Sequence, residues 1–393
     1  MIEERSSRRR FATHMGALYA AQFVAIGAYL PFMPVWLAGR GLSAGEIGLV
    51  LTLPMLARTF VAPFIALAVD RRGNPRAALA SMAALACGAT LTLYLCVGFP
   101  AIFADFVALG LFWCALMPLT EASAVAAMRE GRADYGRMRL WGSASFIAAN
   151  LGAGLLVDRF SPDAAVALIA GAFLMSAMFA LGLPRDGGQA VSAIGEEFSA
   201  VTGRALTRLH FLGPIVLAGL MHSSHSVLYG FGTLHWQSLG YSNTMIGALW
   251  ATGVIAEIVL FAYSARPLRR LGPTGLLMLA AAAGVVRWSA TALDPPLAVL
   301  FALQVLHAFT FAAVHLASIT LIARAAPRNL GGTAQSLLFA VSSLIMAVTM
   351  PLAGLVYGAY GGGAYWAMAG MAAAVLLVLA VAPARRLIVP SSW

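Results

Sequence analysis

The sequence predicts an all-α membrane protein with twelve transmembrane helices in two pseudo-symmetric six-helix bundles and both termini cytoplasmic. Three observations carry this. The chain is 61% hydrophobic and only 10% charged over 393 residues, with a mean hydropathy of +0.85, which is more apolar than a soluble domain of this length sustains. Its apolar runs reach the ~20 residues that a helix needs to cross a bilayer. They are also too long and too uniformly apolar for the alternating strands of an outer-membrane barrel.

Taken in order, the runs and the polar residues between them define the spans. The first covers 14–38 and ends before Arg40; the second, 44–68, runs to Asp70, Arg71, Arg72 and Gly73. The third and fourth cover 76–98 and 100–127, the fourth closing at the polar turn Arg129-Glu130-Gly131-Arg132. The fifth, 136–158, stops at Arg159, and the sixth, 163–183, at the long polar stretch that begins with Pro184. In the second half the seventh covers 211–236 and the eighth 243–263, followed by Arg266, Arg269 and Arg270. The ninth and tenth cover 274–292 and 296–322, the tenth followed by Arg324 and Arg328. The eleventh and twelfth cover 331–357 and 363–383, before Arg385 and Arg386. The resulting organisation is a cytoplasmic tail 1–13, a bundle 14–183, a cytoplasmic linker 184–210, a second bundle 211–383 and a tail 384–393.

All 25 basic charges are arginine, since the chain has no lysine. They crowd the N-terminal tail and every second loop, whereas the opposite loops hold only Arg40, Arg159 and Arg287 at a span edge, so both termini are expected in the cytoplasm of a bacterial-type inner membrane. That bias accounts for the net charge of +10 without a nucleic-acid partner. Cys87, Cys96 and Cys114 fall within spans and lack CxxC spacing, so neither a disulfide framework nor a thiolate metal site is expected. The arginines before the first span resemble a signal-peptide n-region, but the apolar run is too long and lacks a small-residue cleavage site, so it reads as a retained helix.

The halves repeat. At an offset of 199 or 200, Gly41 falls on Gly240, Gly48 on Gly247, Gly73 on Gly272, and Gly154-Leu155 on Gly354-Leu355, with Arg58 on Glu257. Arg58, Glu121, Arg139, Glu257 and Arg287 lie in or at the edge of spans. A charge at the bilayer centre costs about 3 kcal/mol or more on insertion scales, so such residues pair or line a watery path. Glu121 and Arg139 are equidistant from position 130 in the turn that joins their helices, which sets them at equal depth. Nine residues at ~1.5 Å each place both about 13 Å in, near the middle of the core. The pair can open onto a ligand, the guanidinium offering a planar fork to a carboxylate or to hydroxyls; a helix-end salt bridge with Arg139 snorkelling to the cytoplasm is the other reading.

Two six-helix halves joined by a cytoplasmic linker resemble the major facilitator superfamily, in which substrate sits at the midplane between parallel repeats. Its loop signature between helices two and three is similar to Ala66-Leu67-Ala68-Val69-Asp70-Arg71-Arg72-Gly73, although Asn74-Pro75-Arg76 and the aspartate-less Arg269-Arg270-Leu271-Gly272 depart from it. The resemblance implies that Asp70, with Arg71 and Gly73, gates the cytoplasmic side; a plain helix-end aspartate is the alternative. Gly27-Ala28-Tyr29-Leu30-Pro31-Phe32-Met33-Pro34-Val35-Trp36, Pro118-Leu119-Thr120-Glu121 and Tyr135-Gly136-Arg137-Met138-Arg139 resemble the oligosaccharide:proton symporters typified by lactose permease. That likeness implies that Glu121 and Arg139 bind substrate and that Glu257, Arg287 and His307 are functional. Thr310 and Phe146 replace that family's proton-carrying glutamate and stacking tryptophan, and its charge pair between helices seven and eleven is missing. Nearly the whole chain is similar to the phenylpropionate permease family, through Asp134–Ser143, His225-Ser226-Val227-Leu228-Tyr229, Trp236–Ser242, Val254-Ile255-Ala256-Glu257, Gly284-Val285-Val286-Arg287-Trp288, Leu306-His307 and His315-Leu316-Ala317.

Arg58 matches that family and suits an anionic substrate. In the expected exchange, a carboxylate replaces Glu257 as the partner of Arg58 when Glu257 takes a proton, which makes the two events mutually dependent; a permanent salt bridge is the alternative. Tyr29, Phe32 and Trp36 recur at i, i+3 and i+7, a stripe that either stacks a phenyl ring or is helix packing. His222, His225 and Tyr229 share a face of helix seven, and His307, then His315, are the expected proton relays. A zinc site on these histidines lacks carboxylates at suitable spacing. Gln22, Asn150 and Gln304 are either cavity residues or helix-to-helix hydrogen bonders.

The expected function is proton-coupled symport of a small aromatic carboxylate such as 3-phenylpropionate, with substrate contacts from Tyr29, Trp36, Arg58, Glu121, Arg139 and Phe146. A proton-coupled oligosaccharide permease and a metabolite exporter are the alternatives within transport. No nucleotide loop, Ser/His/Asp arrangement or membrane-metalloprotease motif supports an enzyme, and no cofactor, metal or obligate protein partner is expected beyond substrate, protons and the bilayer.

Overall fold

A computed structural model describes the backbone of residues 2–184, 209–326 and 331–381, and the side chains of 10–184, 211–326 and 334–381. The tail 384–393 and nearly all of the linker 184–210 lie outside these, as do Arg185, Arg204, Arg208, Arg328, Arg385 and Arg386 of the orientation argument. Every described element is helical. Among the described residues ten helical segments are long and apolar enough to cross a membrane, or eleven if one bent pair counts as a single span. The stretch 334–381 counts once in that tally, although the eleventh and twelfth spans were expected there separately.

Two compact units emerge, the first comprising described residues 2–184 and 232–251, the second 209–231 and 252–381. In the first, α1 (Ile2–Gly39) begins within the expected tail, because Glu and Arg are good helix formers. Helices α2 (Ala44–Phe60) and α3 (Ala62–Arg72) form the bent pair, at 44°, over the expected second span 44–68. Ser43 and Glu46 start α2 with a reciprocal capping box. Gly73, at φ 63°, closes α3 in the left-handed conformation that glycine adopts without strain. Next come α4 (Pro75–Thr92), capped by Asn74, then α5 (Gly98–Trp113), α6 (Leu116–Arg129), α7 (Tyr135–Arg159), capped by Asp134, and α8 (Asp163–Leu181). The α1 helix packs on α7 and α8, α4 on α8, and α2 on α5.

The chain continues with α9 (Leu209–Ser223), α10 (Ser226–Ser238) and α11 (Asn243–Ala262). The first part of α11 is held in the first unit by Asp158 of α7. This carboxylate accepts from Asn243 N (2.8 Å), Asn243 Nδ2 (2.9 Å), Thr244 N (2.8 Å) and Thr244 Oγ1 (2.7 Å). The carboxylate thus sits at the positive end of the helix. Glycines let the backbones meet: a Cβ on Gly154 would strike the Asn243 carbonyl, and one on Gly247 the Asn150 carbonyl. Asp158→Ala is expected to cost about 1–2 kcal/mol, read as a lower melting temperature in detergent, with Asp158→Asn intermediate.

In the second unit, α12 (Ala265–Thr291) is interrupted at Gly272, whose ψ of 172° is not helical, so the apolar span begins at Pro273 as the sequence suggested. Helix α13 (Leu297–Val305) leads through a π-helical segment, Ala308–Ala313, into α14 (Val314–Ala325). Helices α15 (Gly331–Tyr360) and α16 (Tyr365–Val381) are joined by a 3₁₀ turn. The α12 helix packs on α16 and α14, and α9 on α15 and α14.

Candidate functional site

The structure builds two polar clusters, one in each unit. In the first, the turn after α6 reverses the chain at Gly131 (φ 66°) and returns α7 alongside α6. Arg139 Nε then lies 3.2 Å from Glu121 Oε1, as equal depth required. The second carboxylate oxygen, Oε2, accepts from Tyr19 Oη of α1 (2.9 Å) and Tyr135 Oη (2.7 Å). A carboxylate oxygen has about two acceptor sites, so the two phenols fill Oε2. The guanidinium lies 4.3 Å from the ring centre of Phe23, which meets Phe146 edge-on at 6.4 Å. Arg139 and Glu121 remain 35% and 30% exposed.

Tyr29 and Trp36 are not part of this cluster. Tyr29 packs edge-on to Trp113 at 4.8 Å, and Trp113 in turn on Phe173. Trp36 donates from Nε1 to Asp163 Oδ1 (2.7 Å) and has Arg40 over its ring, while Arg40 also pairs with Asp163 at 3.2 Å. Phe32 is fully buried. The stripe is therefore packing and a clamp at the end of α1. Trp36→Phe is expected to cost about 1.5 kcal/mol of stability through one lost charge-assisted hydrogen bond, with transport changed little; a melting curve alongside an uptake assay checks both.

Arg58 stands in the last turn of α2, just before the bend, with no carboxylate paired to it among the described residues of its unit. Asp70 likewise has no ion pair among the described residues of its unit; its backbone carbonyl accepts from Gly73 N. Gln22 donates to Thr120 across two helices, whereas Asn150 donates to the Phe146 carbonyl within its own helix.

The second cluster centres on Arg287, which is fully buried. Its NH1 donates to Thr310 Oγ1 (2.8 Å) and His307 Nδ1 (3.1 Å), with His225 Nε2 at 3.3 Å; NH2 donates to Gln304 Oε1 (2.8 Å). Guanidinium groups only donate, so His307 Nδ1 is the acceptor and its neutral ring carries the proton on Nε2. That nitrogen lies 3.7 Å from Glu257 Oε2. His225 is assigned the same way: Nδ1 donates to the His222 carbonyl (3.1 Å) and Nε2 accepts from the Thr310 hydroxyl (3.1 Å). His307 thus stands between Glu257, within ion-pair distance, and Arg287, to which it is hydrogen-bonded.

Local structure sets these positions. Gly253 of α11 leaves room for His307, whose Cβ would lie 3.3 Å from any Cβ added there. The π-helical segment starts directly after His307, and such segments often occur at functional sites. Helices α9 and α10 meet at a short turn between Ser223 and Ser226, across which His222 and His225 both pack edge-on against Phe311 while His225 stacks on Tyr229. His315 sits apart from the Arg287 group, between the rings of Phe261 and Phe339.

Comparison with known proteins agrees with this architecture. A family model described as "MFS_1 like family" matches residues 12–377. The probable 3-phenylpropionic acid transporter of Escherichia coli (strain K12) is 32% identical over 363 residues, covering 89% of this chain and 92% of the relative. The maltose permease of Geobacillus stearothermophilus is 29% identical over 329 residues, covering 83% and 82%. The crystal structure of nucleoside transporter NupG superposes with a TM-score of 0.83 at 15% identity, over 94% of this chain and 98% of that one, a likeness of fold.

Proposed function

The chain belongs to the MFS_1 like family of major facilitator transporters, and on that premise we propose that it is a twelve-span inner-membrane permease, with both termini cytoplasmic, that imports a small aromatic carboxylate together with protons by alternating access. The single observation that carries the substrate class is that three of the roughly four acceptor sites of Glu121 are taken. With Oε2 filled by Tyr19 and Tyr135 and Oε1 engaged by Arg139, the carboxylate has little acceptor capacity left for sugar hydroxyls. What the cluster still offers is the outer edge of a guanidinium with aromatic rings beside it, which suits a carboxylate on an apolar body. The name of the Escherichia coli relative points the same way.

In this mechanism Arg139 takes the substrate carboxylate, with Arg58 as a second intramembrane cation that draws the anion in. Glu257 takes up the coupled proton and His307 passes or withholds it, because its Nε2 faces Glu257 while its Nδ1 is tied to Arg287. Neutralising Glu257 removes one buried negative charge as the substrate brings another, so proton and anion move together. Asp70, Arg71 and Gly73 close the cytoplasmic side, and His315 is a secondary proton site. Uptake of labelled 3-phenylpropionate and of maltose by cells expressing the chain, with and without a protonophore, tests the reading. Protonophore-sensitive uptake of the acid alone supports it; uptake of the sugar instead overturns the substrate class.

A further inference from the structure

We infer that Phe23 determines the preference of the site for an aromatic ring, an inference that rests on the aryl-carboxylate reading above. Three observations place it there. Arg139, Gly142 and Phe146 recur at i, i+3 and i+7 on α7 and so share one face. The Phe23 ring of α1 lies on this face, between the guanidinium at 4.3 Å and the Phe146 ring at 6.4 Å. Gly142 makes the seat: a Cβ there would lie 2.8 Å from Phe23 Cδ2 and 3.2 Å from Arg139 NH1, so a side chain would displace both.

Exposure separates the two rings. Phe146 is only 8% exposed, whereas Phe23 is partly open, as is Arg139. A ligand whose carboxylate reaches the fork of Arg139 therefore meets Phe23 before Phe146. The substrate ring packs edge-to-face or offset against Phe23, the geometry that the quadrupoles of two aromatic rings favour. Phe23 at the same time fixes the plane of the fork through its cation–π contact. Phe146 supports Phe23 from behind, so the aromatic contact made with substrate passes from Phe146 to Phe23.

The test is counterflow in proteoliposomes with labelled 3-phenylpropionate, and with 3-cyclohexylpropionate, which keeps the carboxylate and the chain length but lacks the π system. The reported quantity is the ratio of the two half-saturation constants. Phe23→Leu is expected to narrow the preference for the phenyl acid about 3- to 10-fold, and Phe23→Trp to retain it. Gly142→Ala, which keeps the ring but crowds its seat, is expected to narrow the ratio in the same direction. A ratio that Phe23→Leu leaves unchanged, whether or not total transport falls, overturns the assignment to Phe23 alone. A wild-type chain that carries neither acid overturns the aryl-carboxylate reading and this inference with it.

Discussion

Arg139→Lys is expected to lower uptake of 3-phenylpropionate about 30-fold or more, measured as kcat/KM in vesicles. Lysine keeps the charge but presents a single ammonium, so it cannot contact Glu121 with one edge and a substrate carboxylate with the other. Breaking a hydrogen-bonded charge pair in a binding site costs about 2–5 kcal/mol. The two side chains are 35% and 30% exposed, and solvent screening puts the effect at the low end of that range. Tyr19→Phe and Tyr135→Phe each remove one donor from Glu121 Oε2. Each is expected to cost about 5- to 10-fold, less than the arginine, because the remaining phenol and guanidinium still hold the carboxylate.

The second large effect separates coupling from binding. Glu257→Gln and His307→Ala are expected to reduce gradient-driven accumulation about 10-fold or more while leaving exchange of internal for external substrate within about 3-fold. Exchange needs the loaded carrier to reorient without releasing its proton, whereas net uptake needs Glu257 to gain and lose one in each cycle. Arg287 is a different case. Its guanidinium is buried on four side chains, His225, His307, Thr310 and Gln304, and truncating it strips donors from all of them. Arg287→Met is therefore a folding variant as much as a transport one.

The membrane class, the long apolar helices and the Glu121–Arg139 pair were legible because they rest on composition, run length and spacing alone. The pair followed from counting residues on either side of one turn. Tyr19 and Phe23 were not legible, because the regular aromatic spacing of Tyr29, Phe32 and Trp36 marks another face of the same helix. Ten residues separate Tyr19 from Tyr29, which at about 100° per residue leaves them some 80° apart. Which face of α1 meets α7 depends on Gly27 and Gly142, where packing rather than pattern decides. Thr310 shows the opposite case. Compared with the sugar symporters it reads as a lost glutamate, yet the π-helical segment aims its hydroxyl at Arg287. The break at Val61 was also hidden, since it does not interrupt the apolar run.

Proton movement on substrate addition tests the central claim most directly, that carboxylate binding and Glu257 protonation are one coupled event. De-energised vesicles containing the protein would receive 3-phenylpropionate while external pH is recorded. We expect a transient external alkalinisation with the wild-type chain that is abolished by a protonophore, and none with Glu257→Gln even though that variant still exchanges substrate. Substrate entry without alkalinisation in the wild type, or alkalinisation that survives Glu257→Gln, would contradict the account.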